Sequence, residues 1–548
     1  MYFNNNMQKT HFISVIGLIL LSSCLTKKIQ SIKDASPTKL NILLIVADDM
    51  GYTDLGCFGS EISTPNIDAL ASEGVTFTNF YTAPMCAPCR ASILTGANNH
   101  LAGVGCQFHR VDSIWGYEGY LTNRVKTIPE SLKEANYHSF ISGKWHLGKK
   151  EDQWPFERGF DETFVTLGGA ANHHNNLGFT SKGSFYAHNG DSVDWPIEGY
   201  STELYTDYAL EFMTKEDSSD SPFFGYMAYT APHWPLQVDK SYWKKYEIIY
   251  KNGYEVLRKE RLQNLKKLGY IDANYKLPEL HPTVIPWDTL DTFQRSKEIR
   301  KMALYAGMLE NLDFHIGRLI KHLKETGEYD NTVIIFMSDN GSSAKDFYNN
   351  PGWEYVKETY NNDFENMGSP TSFVSYGPGW AEASSAPHRY HKRYVYEGGI
   401  RAPLIIKPSK SIQIRNKVNK SFVAMTDLAE TCYELAGIKN PNNIDPELAE
   451  SLPGTSILPT LQGRVKEIHN NDETWVLEHN HHVLVRRGKW KLVNPGFEWK
   501  EENFVLYNLI SDPTESTDIK IDNPEVFQEL LAEWHAFKQK YKVIRIDE

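Results

Sequence analysis

The stretch Met85-Cys-Ala-Pro-Cys-Arg-Ala-Ser-Ile-Leu-Thr-Gly96 places two cysteines, Cys86 and Cys89, either side of an Ala-Pro pair, with Arg90 directly after. This spacing suits a redox dithiol, half of a metal site, or one cysteine placed for something other than its thiol. Two acidic pairs stand elsewhere, Asp48-Asp49 after LNILLIVA and Asp339-Asn340 after NTVIIFMS. Alone, either pair reads as a helix cap or a turn. Two pairs in equivalent contexts point to a shared site. Their oxygen donors suit a hard cation, Ca²⁺ or Mg²⁺, rather than Zn²⁺. Such an ion would polarise an anionic oxygen. The basic candidates are Lys144 and His146 in SGKWHLG, His233 between prolines in TAPHWP, and Lys392 ahead of a glycine pair in HKRYVYEGG. Each alone reads as a solvated or packed side chain. Together with Arg90 they would form a pocket for a tetrahedral oxyanion, with two imidazoles able to move protons near neutral pH.

These residues need elements to position them. LNILLIVA and NTVIIFMS are continuous aliphatic runs, the pattern of strands buried on both faces of a parallel sheet. The segment from Leu304 to Gly327 keeps Leu309, Leu312, Ile316, Leu319 and Leu323 on one helical face, and Gly327 suits its stop. Helix followed by buried strand predicts an α/β fold, with ligands gathering at the carboxyl ends of the strands, where both acidic pairs fall. Adjacent residues of a regular strand point to opposite faces, so both members of a pair can reach one ion only where the strand ends. Residues 239–300 lack periodicity and read as helical pieces and surface loops, candidates for a substrate wall. After residue 465, TWVLEHN, HVLVRRG and KWKLVNP are short strand-like runs, followed by a helix starting at Asn523-Pro524. They predict a small antiparallel subdomain over 466–548, beside a catalytic domain over 40–465.

The net charge is −12, with no compensating basic stripe, which argues against nucleic acid as a partner. Lys9 and the apolar run FISVIGLILL lead into LSSC at Cys24, the layout of a signal segment over 1–24 with a bacterial lipoprotein processing box. The alternative is an ordinary signal peptide with an incidental cysteine. The lipoprotein reading puts lipid on Cys24, a flexible tether over 25–39, and an exported chain anchored to a membrane in the periplasm or at the surface of a Gram-negative-type bacterium. Five further cysteines make no disulfide framework for 548 residues.

The motifs resemble the formylglycine-dependent sulfatases, in their bacterial arylsulfatase-type branch. The family's Cys-x-Pro-(small)-Arg with a later Thr-Gly stands here as Cys86–Gly96, with cysteine at position 89 where serine is common. ADDMGYTDLGCFGSEISTPNIDALASEGVTFTNFY, GKWHLG, YTAPHWPL, NTVIIFMSDNG, EGGIRAPLI and LYNLISDPTE follow in the family's order. The resemblance implies an alkaline phosphatase-like core with a large, mostly parallel sheet flanked by helices and a smaller C-terminal antiparallel subdomain with a terminal helix. It implies that a maturation enzyme acting on residues 86–96 oxidises Cys86 to formylglycine (3-oxoalanine), whose hydrate is the nucleophile of a covalent sulfo-enzyme route. Asp48, Asp49, Cys86, Asp339 and Asn340 would hold one Ca²⁺. Arg90 would favour the ionised nucleophile, and Lys144 and Lys392 would grip sulfate oxygens. His233 would protonate the leaving oxygen, and His146 would accept the proton that triggers sulfate release. The substrate implied is a sulfated polysaccharide or oligosaccharide fragment. Trp115, Trp154, Trp195, Trp234 and Trp380 are candidates to stack on sugar rings, and His479 and Arg486 to touch substrate. The rival readings are a phosphate or phosphonate ester hydrolase on the same scaffold, a thiol oxidoreductase, and a non-catalytic glycan-binding relative.

Overall fold

The aliphatic runs form the centre of the molecule. In the computed structural model, which describes residues 39–107, 113–195, 198–214, 221–347, 352–443 and 454–545, strand β1 (Asn41–Ala47) and strand β8 (Thr332–Ser338) are buried along their whole length. The expected signal segment, lipidated Cys24 and tether lie outside the described residues. Between β1 and β8 in sequence come β2 (Val75–Tyr81), β3 (His138–Lys144), β4 (Glu162–Thr166), β5 (Tyr186–His188), β6 (Asp191–Val193) and β7 (Phe223–Ala228). After β8 come β9 (Arg401–Lys407), β10 (Val418–Asn419) and β11 (Val423–Ala424).

Together these make an 11-stranded sheet in the order β10-β2-β9-β8-β1-β7-β3-β4-β5-β6, with β11 also on β2. Pairing is parallel from β8 through β1, β7 and β3 to β4, whereas β9 runs antiparallel to both β2 and β8. The sheet is thus the mostly parallel one expected. A strand with apolar side chains on both faces needs cover on both sides, and each fully buried Leu or Ile there contributes about 1.5–3 kcal/mol. Helices Ser201–Thr214 and Thr292–Glu325 supply cover on one face.

The Thr292–Glu325 helix starts well before Leu304. Asp291 caps it: its side chain accepts from Gln294 N at 2.8 Å while Gln294 Oε1 accepts from Asp291 N at 2.9 Å. The polar opening turns hide it from an apolar-periodicity reading. Gly327, at φ +81°, follows the helix end as expected.

A second, four-stranded antiparallel sheet contains β12 (Thr474–His479), β13 (His482–Arg487), β14 (Trp490–Pro495) and β15 (Val505–Asn508). The helix Pro524–Lys540 follows, with Asn523 at its N-cap and Phe527, Leu530, Leu531, Trp534 and Phe537 buried. Residues from Asn41 onward make one compact unit that includes this sheet.

A buried ion cluster ties the chain ahead of β12 to the helix Asp427–Ala436. His469 Nε2 lies 2.9 Å from Asp427 Oδ2, and its Nδ1 lies 3.0 Å from Glu473 Oε2. Asp427 also accepts from Ala424 N and Thr455 N, each at 2.8 Å. Burial alone would lower the pKa of His469, but Asp427 and then Glu473 raise it above its ordinary value. A raised folded pKa stabilises fully below the unfolded value of about 6.5 and is lost as pH climbs through the folded value. His469→Asn is therefore expected to cost about 1–3 kcal/mol at pH 6, with the deficit against wild type shrinking as pH rises towards 9. Denaturant unfolding at several pH values measures it, and a deficit that grows with pH contradicts the assignment.

Candidate active site

The sheet brings the two acidic pairs together by register. Ala47 pairs with Ser338 across β1 and β8, so Asp48 and Asp339 leave neighbouring strand ends side by side. Asp339 N donates to Ala47 O at 3.1 Å, and Asp49 N to Asp339 Oδ1 at 3.3 Å. Asp49 has φ +64°, a left-handed conformation that aspartate tolerates better than most residues. That turn breaks strand alternation and lets both aspartates address one point. Asn340 Nδ2 donates to Asp49 Oδ1 at 2.8 Å. Behind it, Gly341 packs so tightly that a Cβ would stand 2.1 Å from Gly398 O.

Cys86 opens the helix Cys86–Thr95, whose Pro88 falls in the first turn, where no intrahelical N–H is required. Gly96 ends it at φ +66°, with its N–H donating to Ser92 O. The Cys-x-Pro and Thr-Gly ends of the motif are therefore also the start and stop of one helix. This helix holds Cys86 Sγ 3.3 Å from Asp48 Oδ1 and 3.6 Å from Asp49 Oδ1.

Three cations meet these three carboxylates. Arg90, one turn further along the helix, donates from Nε to Asp339 Oδ2 at 2.8 Å, and its Nη2 lies 2.8 Å from the same oxygen as an ion pair. Lys144, the last residue of β3, donates to Asp48 Oδ2 at 2.6 Å. Lys392 pairs with Asp49 Oδ1 and lies 3.0 Å from Cys86 Sγ. His233 Nδ1 lies 2.7 Å from Trp234 O, and its Nε2 lies 3.4 Å from Asp49 Oδ2. His146 has φ +61° and sits against Gly169, where a Cβ would come within 2.4 Å of its ring.

Burial sets the electrostatics. It would raise the carboxyl pKa of Asp48 and Asp49, yet Lys144 beside Asp48 and Lys392 beside Asp49 hold both below their ordinary value. It would lower that of Lys392, but Asp49 and then Cys86 lift it above its usual value. Burial, reinforced by Asp339, pushes both the Cys86 and Cys89 thiols well up. Neither is a ready thiolate, and both are free thiols, so the pair lacks the reactive dithiol a redox enzyme needs.

The donor set fits a hard cation. Asp49 Oδ2 and Asn340 Oδ1 are buried without a hydrogen-bond partner. One donor atom from each of Asp48, Asp49, Cys86 and His233 falls within 4.8 Å of the others. Carboxylate and amide oxygens are Ca²⁺ or Mg²⁺ ligands, and a dication added to three carboxylates balanced by three cations leaves surplus positive charge for an anion. Asp339 is at the site, but its Oδ2 faces Arg90 and its Oδ1 accepts from Asp49 N.

A cavity of about 1350 Å³ opens above this cluster. Cys86, His146, His233 and Lys392 line it. Asp48, Asp49, Arg90, Lys144, Asp339 and Asn340 are buried behind them. Of the tryptophans expected at sugar rings, Trp234 lines the cavity. Trp154, Trp195 and Trp380 are packed in the interior, Trp195 with its ring 5.0 Å from that of Tyr186. Trp115 instead lies under Arg124 and Lys542. His479 and Arg486 do not reach the cavity either. His479 Nδ1 lies 3.3 Å from Gly105 O, and the Arg486 guanidinium sits over Tyr81 and Phe422. From the C-terminal sheet, His482 and Pro495 reach it instead. Tyr254, His281 and Ile285 confirm the 239–300 region as cavity wall, and Trp353 and Lys345 join from a segment with no motif to flag them.

Comparison with known proteins points to one family. A family model described as Sulfatase matches residues 40–438, and one described as N-sulphoglucosamine sulphohydrolase, C-terminal, matches 387–540. An arylsulfatase of Klebsiella aerogenes is 38% identical over 436 residues, covering 78% of this chain and 91% of its own. An uncharacterized sulfatase of Schizosaccharomyces pombe is 38% identical over 533 residues, covering 93% and 96%. A solved structure in complex with its substrate D-glucosamine-2-N,6-O-disulfate shares the fold at a TM-score of 0.58 and 19% identity, covering 92% of this chain and 98% of that one.

Proposed function

We propose, from the premise that the chain belongs to the sulfatase family and hydrolyses sulfate esters, that its substrates are sulfated sugars and that residue 86 works as formylglycine beside a bound Ca²⁺. The carrying observation is the place of Cys86: on the cavity floor, 3.3 Å from Asp48 Oδ1 and 3.0 Å from Lys392 Nζ, with burial and Asp339 holding its thiol protonated. A thiol held this way is a poor nucleophile. A hydrated aldehyde at the same carbon would supply two hydroxyls, one to attack sulfur and one whose deprotonation releases sulfate. Asp48, Asp49 and Asn340, with Asp339, would hold the cation, which supplies charge stabilisation at the reacting oxygens.

The remaining work falls to the chain's own side chains. Lys144 and Lys392, already turned towards the cluster, bind and orient the anionic oxygens of the ester. His233, with Nδ1 fixed on Trp234 O, presents Nε2 to the site and protonates the leaving alcohol oxygen. His146, held by its left-handed backbone against Gly169, accepts the proton released when sulfate departs. Arg90 orients Asp339 and offsets its charge. Sulfated carbohydrate as substrate is supported by the aromatic wall around Trp234 and by the sugar disulfate bound in the structural relative.

Mass spectrometry of the peptide holding residue 86 is expected to show the aldehyde or its hydrate in active protein. Parallel assay of the sulfate and phosphate esters of one aryl alcohol is expected to favour sulfate. An intact thiol in fully active protein, or preference for phosphate, overturns the reading.

A further inference from the structure

The cavity wall away from Cys86 carries a cation that the chemistry above does not use. Lys345 is half-buried, lines the cavity and rests its Nζ 4.2 Å from the centroid of the Trp353 ring. A cation over an indole face is held without being neutralised. Lys345 forms no ion pair among the described residues. The acidic groups of the same wall, Glu298 and Asp346, face a different ammonium: Glu298 Oε1 takes Lys301 Nζ at 2.5 Å, and Asp346 lies within electrostatic reach of it. Arg393, exposed and next to Lys392 in the chain, also lines the cavity. Burial and then repulsion from Arg393 push the Lys345 ammonium down to about 8, and no acidic group among the described residues pairs with it. The path from the reacting end is a continuous aromatic surface. The His233 ring is 4.3 Å from Trp234, Trp234 is 6.3 Å from Trp353, and Trp353 carries Lys345.

We infer that Lys345, seated on Trp353 in the cavity wall, binds a second anionic substituent, sulfate or carboxylate, of the same sugar substrate whose scissile sulfate lies at residue 86. This rests on the sulfatase reading and narrows it to multiply charged sugars. The aromatic wall at Trp234 packs against the apolar face of a sugar ring, and the ammonium held on Trp353 takes its charge. A singly sulfated sugar leaves that ammonium without a partner in a partly dehydrated wall, so the site discriminates by charge count.

The test titrates a disulfated N-acetylhexosamine and its monosulfated counterpart, by calorimetry, into the full chain carrying Cys86→Ala, a readout that needs no turnover. The disulfated sugar is expected to bind roughly tenfold to hundredfold tighter. Adding Lys345→Ala should bring the two affinities within about threefold of each other, whereas Lys345→Arg should keep the preference. The thermal unfolding midpoint checks the fold, and Lys345→Gln replaces Lys345→Ala if the latter fails to fold. Equal affinities in the parent chain, no binding of either sugar, or a preference that survives loss of Lys345 overturns the inference. A chain that keeps the Lys345-dependent preference but, with Cys86 restored and matured, cleaves no sulfate ester counts against the sulfatase reading and leaves the subsite standing.

Discussion

Cys86→Ala is expected to lower kcat/KM for sulfate ester hydrolysis by about 10³-fold or more, the scale seen when a covalent nucleophile is removed. The loss is expected without unfolding. The side chain is 1% exposed, yet the substitution removes a single sulfur, and Lys392 keeps its pairing with Asp49. Helix Cys86–Thr95 retains Pro88, its stop at Gly96 and the Arg90–Asp339 pair. Steady-state kinetics beside a thermal melt separate the two effects. Turnover within tenfold of wild type in a folded Cys86→Ala chain would sink both the nucleophile and the need for its modification.

Arg90→Ala is expected to destabilise the fold by about 3–5 kcal/mol, because it leaves a buried carboxylate without its partner. Arg90 and Asp339 are both fully buried, and two guanidinium nitrogens converge on one Asp339 oxygen at 2.8 Å. The neighbours of Asp339, Asp48 and Asp49, add like charge, and their own cations, Lys144 and Lys392, are already committed. Arg90→Lys is expected to recover part of the stability but little activity, since an ammonium cannot reproduce the planar fork that fixes Asp339 against the Asp49 backbone. Denaturant midpoints at constant m-value measure the loss. A change under about 1 kcal/mol contradicts the claim that this pair supports the site.

The local chemistry was legible wherever a motif and its element coincide. Cys86, Pro88, Arg90 and Gly96 all lie on one ten-residue helix, so their spacing is that helix's geometry. The aliphatic runs ending at Asp48 and Asp339 are buried on both faces, and that pattern announces central parallel strands. The two acidic pairs could therefore be placed at strand carboxyl ends from sequence, whereas the side-by-side pairing of β1 and β8 is a matter of sheet topology.

Other features depend on chain segments meeting in space. Lys392 reaches Cys86 across 306 residues, and Lys144 reaches Asp48 across 96. No periodicity carries such a contact. The left-handed turn at Asp49, which lets adjacent carboxylates converge, is visible only in the backbone. Trp380 and Trp234 look alike in sequence, but one is sealed inside beside Tyr250 and Tyr254 while the other lines the cavity. The cavity wall is built from unpatterned loops, so Trp353 and Lys345 carry no signal of their own. Sequence by itself marked Cys86, Arg90 and the two acidic pairs, because their spacing is the geometry of one helix and of two strand ends. Which groups surround the rest of the substrate was decided by tertiary structure, because loop packing, and not local propensity, sets which side chains face the cavity.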